Sequence, residues 1–235
     1  MIHVNIGIPM DAAISDSSPP NKRRYGGVLP EERQRLRRAK LIDGALEVFG
    51  TKGFHATTVR EVCVAAHLTE RYFYESFKTL PQLFLATYAE LREQLMALTL
   101  ASLKQASSPT PLGLLEPAMR VFLEFIRDDP RRGRVMLVDS LGVNDEVAAL
   151  SGATARDYSA MMRQHLHLLV PKGRAAEINL DLLADGMIGL NVLLASRWMQ
   201  DGFKEPIDKV VKTNLLPYQG LLALVDHEPK APEAA

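Results

Sequence analysis

Residues 58–77, TVREVCVAAHLTERYFYESF, constrain the fold more than any other stretch of this chain. Thr58-Val59-Arg60-Glu61 is a capping box: the Thr58 hydroxyl caps a helix start and Glu61 reaches back to the cap residue. That helix runs on through Val62 to Ala65, and a turn follows at Ala66, His67 and Leu68. Thr69 reads as a second N-cap with Glu70 at the first helical position, and Leu68 with Phe73 forms a hydrophobic staple. The spacing therefore predicts helix, tight turn and helix, at the scale of a helix-turn-helix.

A helical wheel sorts the side chains of the second helix. At about 100° per residue, with Phe73 at the origin, Phe77 falls near ~40° and Ser76 near ~300°, toward the preceding helices. Arg71 and Glu75 fall near ~160° and ~200°, directly opposite, with Tyr74 and Tyr72 flanking them near ~100° and ~260°. Two rings are thus expected in the core and two at the edges of an outward polar face. That face suits either solvent or a major groove, where Arg pairs with guanine and Tyr reaches phosphates, bases or thymine methyls. Glu75 either accepts from a cytosine amine or orients Arg71 four residues earlier, the second being favoured.

Charge supports contact with nucleic acid at this end of the chain. The 235 residues carry no net charge overall, but Lys22 to Lys78 hold 12 Lys and Arg against 7 Asp and Glu, a net of +5. From Thr79 onward the count is 16 against 19, a net of −3. Such asymmetry points to a basic end that meets nucleic acid. A single cysteine, Cys63, excludes an internal disulfide and agrees with a cytoplasmic setting; its thiol reads as a small buried hydrophobe. The start, MIHVNIGIPM, lacks the basic and apolar regions of a signal peptide, and no window approaches the ~18 apolar residues of a membrane span.

Elsewhere apolar residues recur at helical spacing, with no period-two run bounded by turns, so the expected class is all-α. Helices are expected from Pro30 to the Gly50–Gly53 region, over 83–103, 112–126, 131–141, 144–170 with a weak point at Ser151-Gly152, 176–200, and 207–225 with Pro217 as a kink. The expected organisation is a flexible arm over 1–29, a helix-turn-helix domain over 30–79, a larger helical domain over 80–226 and a disordered tail over 227–235. The basic cluster Lys22 to Arg24 ends the arm and either tracks a minor groove or is an unstructured solubilising tail.

Residues 46–83 resemble the DNA-binding domain of the TetR family of bacterial transcriptional regulators. The matching pieces are LEVFGTKGF, TTVREV, AAHLT and YFYESF with Leu83 after it. The resemblance implies a homodimer with a three-helix N-terminal DNA-binding domain, a C-terminal domain holding an effector pocket and the dimer interface, and a palindromic operator in double-stranded DNA. By the same resemblance Thr58 and Arg60 touch backbone or bases, Thr69, Arg71 and Tyr72 read bases, and Tyr74 bonds phosphate. Two departures stand out. His67 replaces the usual turn glycine, which asks a non-glycine residue to take positive φ. Leu80 replaces the usual phosphate-binding lysine, with Lys78 as its substitute.

The helix over 176–200 is apolar on nearly every side, which demands burial all round, and Ala184, Gly186 and Gly189 would let another helix approach. With 207–225 it is expected to form a four-helix dimer interface. Met119, Phe122, Met136, Tyr158, Met161, Met162, His165 and Trp198 lie on helices that line the effector cavity in relatives, and such side chains suit an adaptable lipophilic site. Ordinary core packing is the other reading of each. Asn191 and Arg197 orient a polar effector group or cap the interface. His165 and His167 are two apart and face different ways, so no metal pair is expected, and no cofactor. No catalytic signature appears, so the chain is not expected to be an enzyme. A ligand-responsive repressor is the leading expectation; a helical small-molecule carrier and an architectural DNA binder without effector are the alternatives.

Overall fold

The computed structural model describes residues 29–106, 110–170 and 178–226. The expected arm (save Leu29), with its Lys22–Arg24 cluster, and the tail from 227 lie outside these residues. Among the described residues all regular structure is helical, with no strand.

Helix α1 (Pro30–Lys52) starts on a proline, with Glu31 and Glu32 in the positive first turn. Its second half turns Leu41, Ile42, Ala45, Val48 and Phe49 inward. Gly53, at φ +88°, ends it, and a single 3-10 turn (Phe54–Ala56) leads into α2 (Val59–Ala65) and α3 (Glu70–Ser76). Phe49, Val62 and Phe73 meet in the small core of this unit with no exposed surface. Gly44 lets the α2–α3 turn come close, since a Cβ there would lie 2.8 Å from the Ala66 amide nitrogen.

Helix α4 (Leu80–Gln105) starts within the small core and extends out of it. Its Phe84 ring sits 5.1 Å from Phe49 and 5.4 Å from Phe54. Helices α5 (Pro111–Asp128) and α7 (Asp145–Leu169) pack on the outer part of α4, α8 (Leu180–Gln200) packs on α7, and α9 (Ile207–Asp226) packs on α5. Between α5 and α7 the expected single helix over 131–141 is instead three pieces. A short α6 (Pro130–Gly133) passes into a π-helical turn (Arg134–Val138) and a 3-10 turn (Asp139–Leu141). Helix α7 runs unbroken through Ser151-Gly152, and α9 continues past Pro217. Helix α8 is not buried all round: Leu182 is 68% exposed and Leu193 58%.

The turn after α2 shows how His67 stands in for glycine. The Leu68 amide donates to the Cys63 carbonyl at 2.9 Å and the His67 amide to Val64 at 3.1 Å. This is the double bond of a Schellman ending, whose first residue beyond the cap takes the left-handed conformation. His67 takes it, at φ +54°, with its side chain exposed. An L-residue other than glycine is strained there. His67→Gly is expected to stabilise the chain by about 0.5–1 kcal/mol. Calorimetry checks this, with Tm moving roughly 2–4 °C per kcal/mol at this chain length. A Tm at or below the parent's would show that the imidazole contributes more than its backbone costs.

Candidate functional site

The capping box at α2 is formed in full. The Glu61 amide donates to Thr58 Oγ1 at 3.3 Å and the Glu61 carboxylate accepts from the Thr58 amide at 3.0 Å. Lys52 closes on the same carboxylate, and its hydrogen bond, then those of Thr58, hold Glu61 below the usual carboxylate range. The Thr58 hydroxyl is therefore engaged in the cap, while Arg60 is exposed beside it. At α3 the expected cap is missing: the Thr69 side chain takes no hydrogen bond from the helix, and the residue is exposed.

The wheel of α3 is realised in its main features. Phe73 and Phe77 are buried, and the Arg71 side chain is 84% exposed. Arg71 Nε donates to Glu75 Oε1 at 3.1 Å, so Glu75 orients the arginine. Tyr74 is 60% exposed, its ring packed edge-on to Phe73. Tyr72 is half-buried at the edge of the outward face, with a residue of α1 lying over it. The Arg37 guanidinium stacks 4.3 Å from the Tyr72 ring centroid and sits 3.6 Å from Glu75 Oε2. Glu75 is thus held between Arg37 and Arg71, and Tyr72 is half-buried. Arg37 lies 35 positions before Tyr72, so no local spacing points to it. Lys78 is exposed, with its amide donating to Gln82 Oε1. Leu80 is half-buried against the core, where it opens α4 by packing instead of by charge.

Helices α4, α5, α7, α8 and α9 with the π turn line a cavity of about 740 Å³ that opens to solvent on one side, within the range of small-molecule sites. Met119, Phe122, Met136, Tyr158, Met161, Met162, His165 and Asn191 all line it. Trp198 does not. It is turned away at the C-terminal end of α8, where its indole N–H donates to the Glu205 carbonyl at 2.9 Å and its ring meets Phe203 edge-on. A buried indole needs a partner for its single donor, and the α8–α9 connection supplies one. Tyr88, Ser140 and Tyr218 also line the cavity; they lie on the same helical repeats as ordinary core residues, and nothing in the spacing sets them apart.

The cavity wall and the helix-turn-helix share one segment. Met136, Leu137, Ser140 and Leu141 face the cavity. From the same stretch, Arg134 donates to the carbonyls of Thr51 and Lys52, both at 3.2 Å, and Asp139 Oδ2 accepts from the Phe54 amide at 3.0 Å. Arg131 pairs with Glu47 one turn earlier on α1. Among the described residues no group of three or more His, Cys, Asp or Glu is arranged to hold a metal, and no helix is long and apolar enough to cross a membrane.

Residues 41–87 match the family model for bacterial regulatory proteins of the tetR family. The chain is similar to the HTH-type transcriptional activator FasR of Mycolicibacterium smegmatis, 24% identical over 196 residues, which spans 83% of this chain and 84% of FasR. It is also similar to the HTH-type transcriptional regulator TcmR of Streptomyces glaucescens, 27% identical over 53% of this chain and 54% of TcmR. The fold is like that of the transcriptional regulator FadR from Bacillus subtilis, solved in complex with stearoyl-CoA. That likeness has a TM-score of 0.67 over 80% of this chain and 99% of FadR, at 16% identity.

The Arg37–Tyr72 stack makes a prediction independent of any partner. A double-mutant cycle of Arg37→Ala and Tyr72→Leu, read by urea unfolding, is expected to show a coupling of about 0.5–1 kcal/mol. A coupling within error of zero would mean that the stack contributes nothing to holding α3 on α1.

Proposed function

This chain belongs to the tetR family of bacterial transcriptional regulators, which bind DNA, and on that premise we propose that it is a homodimeric repressor. It sits on a palindromic operator and leaves it when a lipophilic effector fills the cavity. The observation that carries the reading is the pairing, in one chain, of an outward-facing Arg71 with a cavity whose wall also caps the helix-turn-helix. One recognition helix reads few base pairs; two held about 34–36 Å apart read a palindrome in successive turns of major groove.

We assign the base-reading role to Arg71, whose planar donors suit guanine, with Thr69 and Tyr72 beside it. Thr58, Arg60, Tyr74 and Lys78 are assigned to backbone positioning. Glu75, fixed by Arg37 on its other side, limits the arginine's freedom, so less rotamer entropy is lost on docking. The second copy is proposed to dock on α8 and α9. Leu182, Leu193 and Leu216 (61% exposed) are left uncovered there, and a Cβ on Gly186 or Gly189 would meet nothing within 4 Å. These helices leave both room and apolar surface for another pair.

In this reading the π turn transmits the signal. An occupant that displaces Met136 or Ser140 moves Arg134 and Asp139, and with them the C-terminal end of α1. The two recognition helices then lose their match to successive grooves. The printed name of FasR calls it an activator. The sign of regulation follows from where the operator lies relative to the promoter, not from the fold.

Two measurements test the reading. In vitro selection from random duplexes should return a palindrome, bound with strong salt dependence. Arg71→Ala should then weaken binding by about 1–3 kcal/mol and relax preference at one base pair per half-site; an equal loss on every sequence would show that Arg71 reads no base. Leu193→Glu should shift the particle from dimer to monomer in sedimentation and abolish operator binding. A dimer undisturbed by that change would place the interface elsewhere.

A further inference from the structure

The chemistry of the cavity wall narrows the class of effector. Resting on the reading above, we propose that the cavity takes an uncharged lipophile carrying one hydrogen-bonding group, which is held by the Tyr158 hydroxyl and the Asn191 amide. It does not take an ionised amphiphile.

The wall has almost no charge with which to receive an ion. No Asp, Glu or Arg belongs to it; its basic side chains are Lys104, exposed near the C-terminal end of α4, and His165 on α7. The basic group near Tyr158, Arg92, is already paired with Asp157. A carboxylate drawn below Lys104 would leave water at a cost of several kcal/mol unless His165 met it.

Most of the polar groups on the wall are also already used. Thr99 donates to the Leu95 carbonyl, Ser140 to Met136 and Thr154 to Leu150, each within its own helix or turn. Ser151 lies 3.4 Å from Ser140. Two groups stand apart. The Tyr158 hydroxyl is buried beside Thr99 and makes no hydrogen bond of normal geometry, and burial pushes its phenol up, so it remains a donor. On α8, Asn191 Nδ2 donates to the Tyr218 hydroxyl at 3.1 Å, while Oδ1 has no partner. Turning the amide over would exchange the two atoms and leave Nδ2 unpaired instead, so in either orientation one amide atom is open.

Each unpaired buried group costs about 1–3 kcal/mol. Neither atom is accessible to water, so a bond to a ligand displaces no bound water. Both residues line the cavity, and a ligand bonds these atoms only once the side chains over them shift. A hydroxyl or neutral carbonyl meets this need without bringing a charge. Around it, soft and aromatic side chains such as Met119, Met162 and Phe122 supply the apolar contact.

The test uses the full chain and three probes of one length, 1-dodecanol, dodecanoate and dodecane, at about pH 7, where the carboxylate is ionised. Affinity is measured by calorimetry and release from the selected palindrome is followed in parallel. Dodecanol is expected to bind about tenfold more tightly than dodecanoate and about fivefold more tightly than dodecane, as one net hydrogen bond gives. Tyr158→Phe, which removes a single oxygen, and Asn191→Leu should each bring dodecanol down toward dodecane. Tyr158→Phe should leave dodecane binding unchanged.

Dodecanoate binding as tightly as dodecanol overturns the inference; if it also releases DNA, the effector-controlled reading stands without it. Loss of dodecane binding in Tyr158→Phe, in step with dodecanol, overturns the polar-anchor assignment. No measurable binding of dodecanol overturns the inference outright. Dodecanol bound as expected but leaving the protein on its operator keeps the ligand class and removes the effector role.

Discussion

The two ends of this molecule are joined through Arg134. The last carbonyls of a helix have no partner within it, and in α1 those of Thr51 and Lys52 are taken by the Arg134 guanidinium, two residues before Met136 of the cavity wall. Asp139, 3.7 Å from the same guanidinium, accepts the Phe54 amide where the chain leaves α1. Glycine at positions 50 and 53 makes the contact possible. A Cβ at Gly50 would lie 2.2 Å from that of Arg131, and one at Gly53 would lie 2.4 Å from Arg134 Nη2. The joint is polar, close-fitting and built from a π turn. Turns of this kind insert an extra residue into a helix and recur at functional positions. Any change in the path of residues 134–141 is therefore felt at both the cavity and α1.

The same logic explains why the DNA-facing unit was readable in advance. Its decisive features are local: a capping box within four residues, a three-residue turn, and a wheel of seven. Phe73 and Phe77 went inward and Arg71 outward because helical period alone separates them by nearly half a turn. His67 was legible as a left-handed residue because the Schellman ending it completes is set by α2 itself. Thr69 shows where local reading stops. A cap residue in extended conformation (ψ 157°) is present, yet its hydroxyl makes no bond to the helix.

What escaped the sequence depends on residues far apart. Arg37 lies one face away on α1 and meets Tyr72 only after the three helices close. Trp198 sits among apolar neighbours on α8 and was expected at the cavity. Its single N–H donor found the Glu205 carbonyl across the α8–α9 connection, and that bond turned the ring away. The segment 131–141 has helical spacing throughout, yet after α6 it forms a π turn and a 3-10 turn, and nothing in the spacing marks where the α-helix ends. Helix α8 carries apolar residues on more faces than its own chain covers. The pattern registered apolar surface without saying what covers it.

The size of the cavity bears on how occupancy acts. The cavity of about 740 Å³ is open to solvent on one side, so without a solute it holds water or contracts. Water is a poor occupant, since Thr99, Ser140 and Thr154 already bond their own backbone and the rest of the lining is rich in Leu and Met. An apolar solute removes both the water and the pressure to contract. On the reading proposed above, a solute that fixes the separation of α4, α5, α7 and α8 also sets the path of the π turn, and Arg134 and Asp139 carry that to the end of α1.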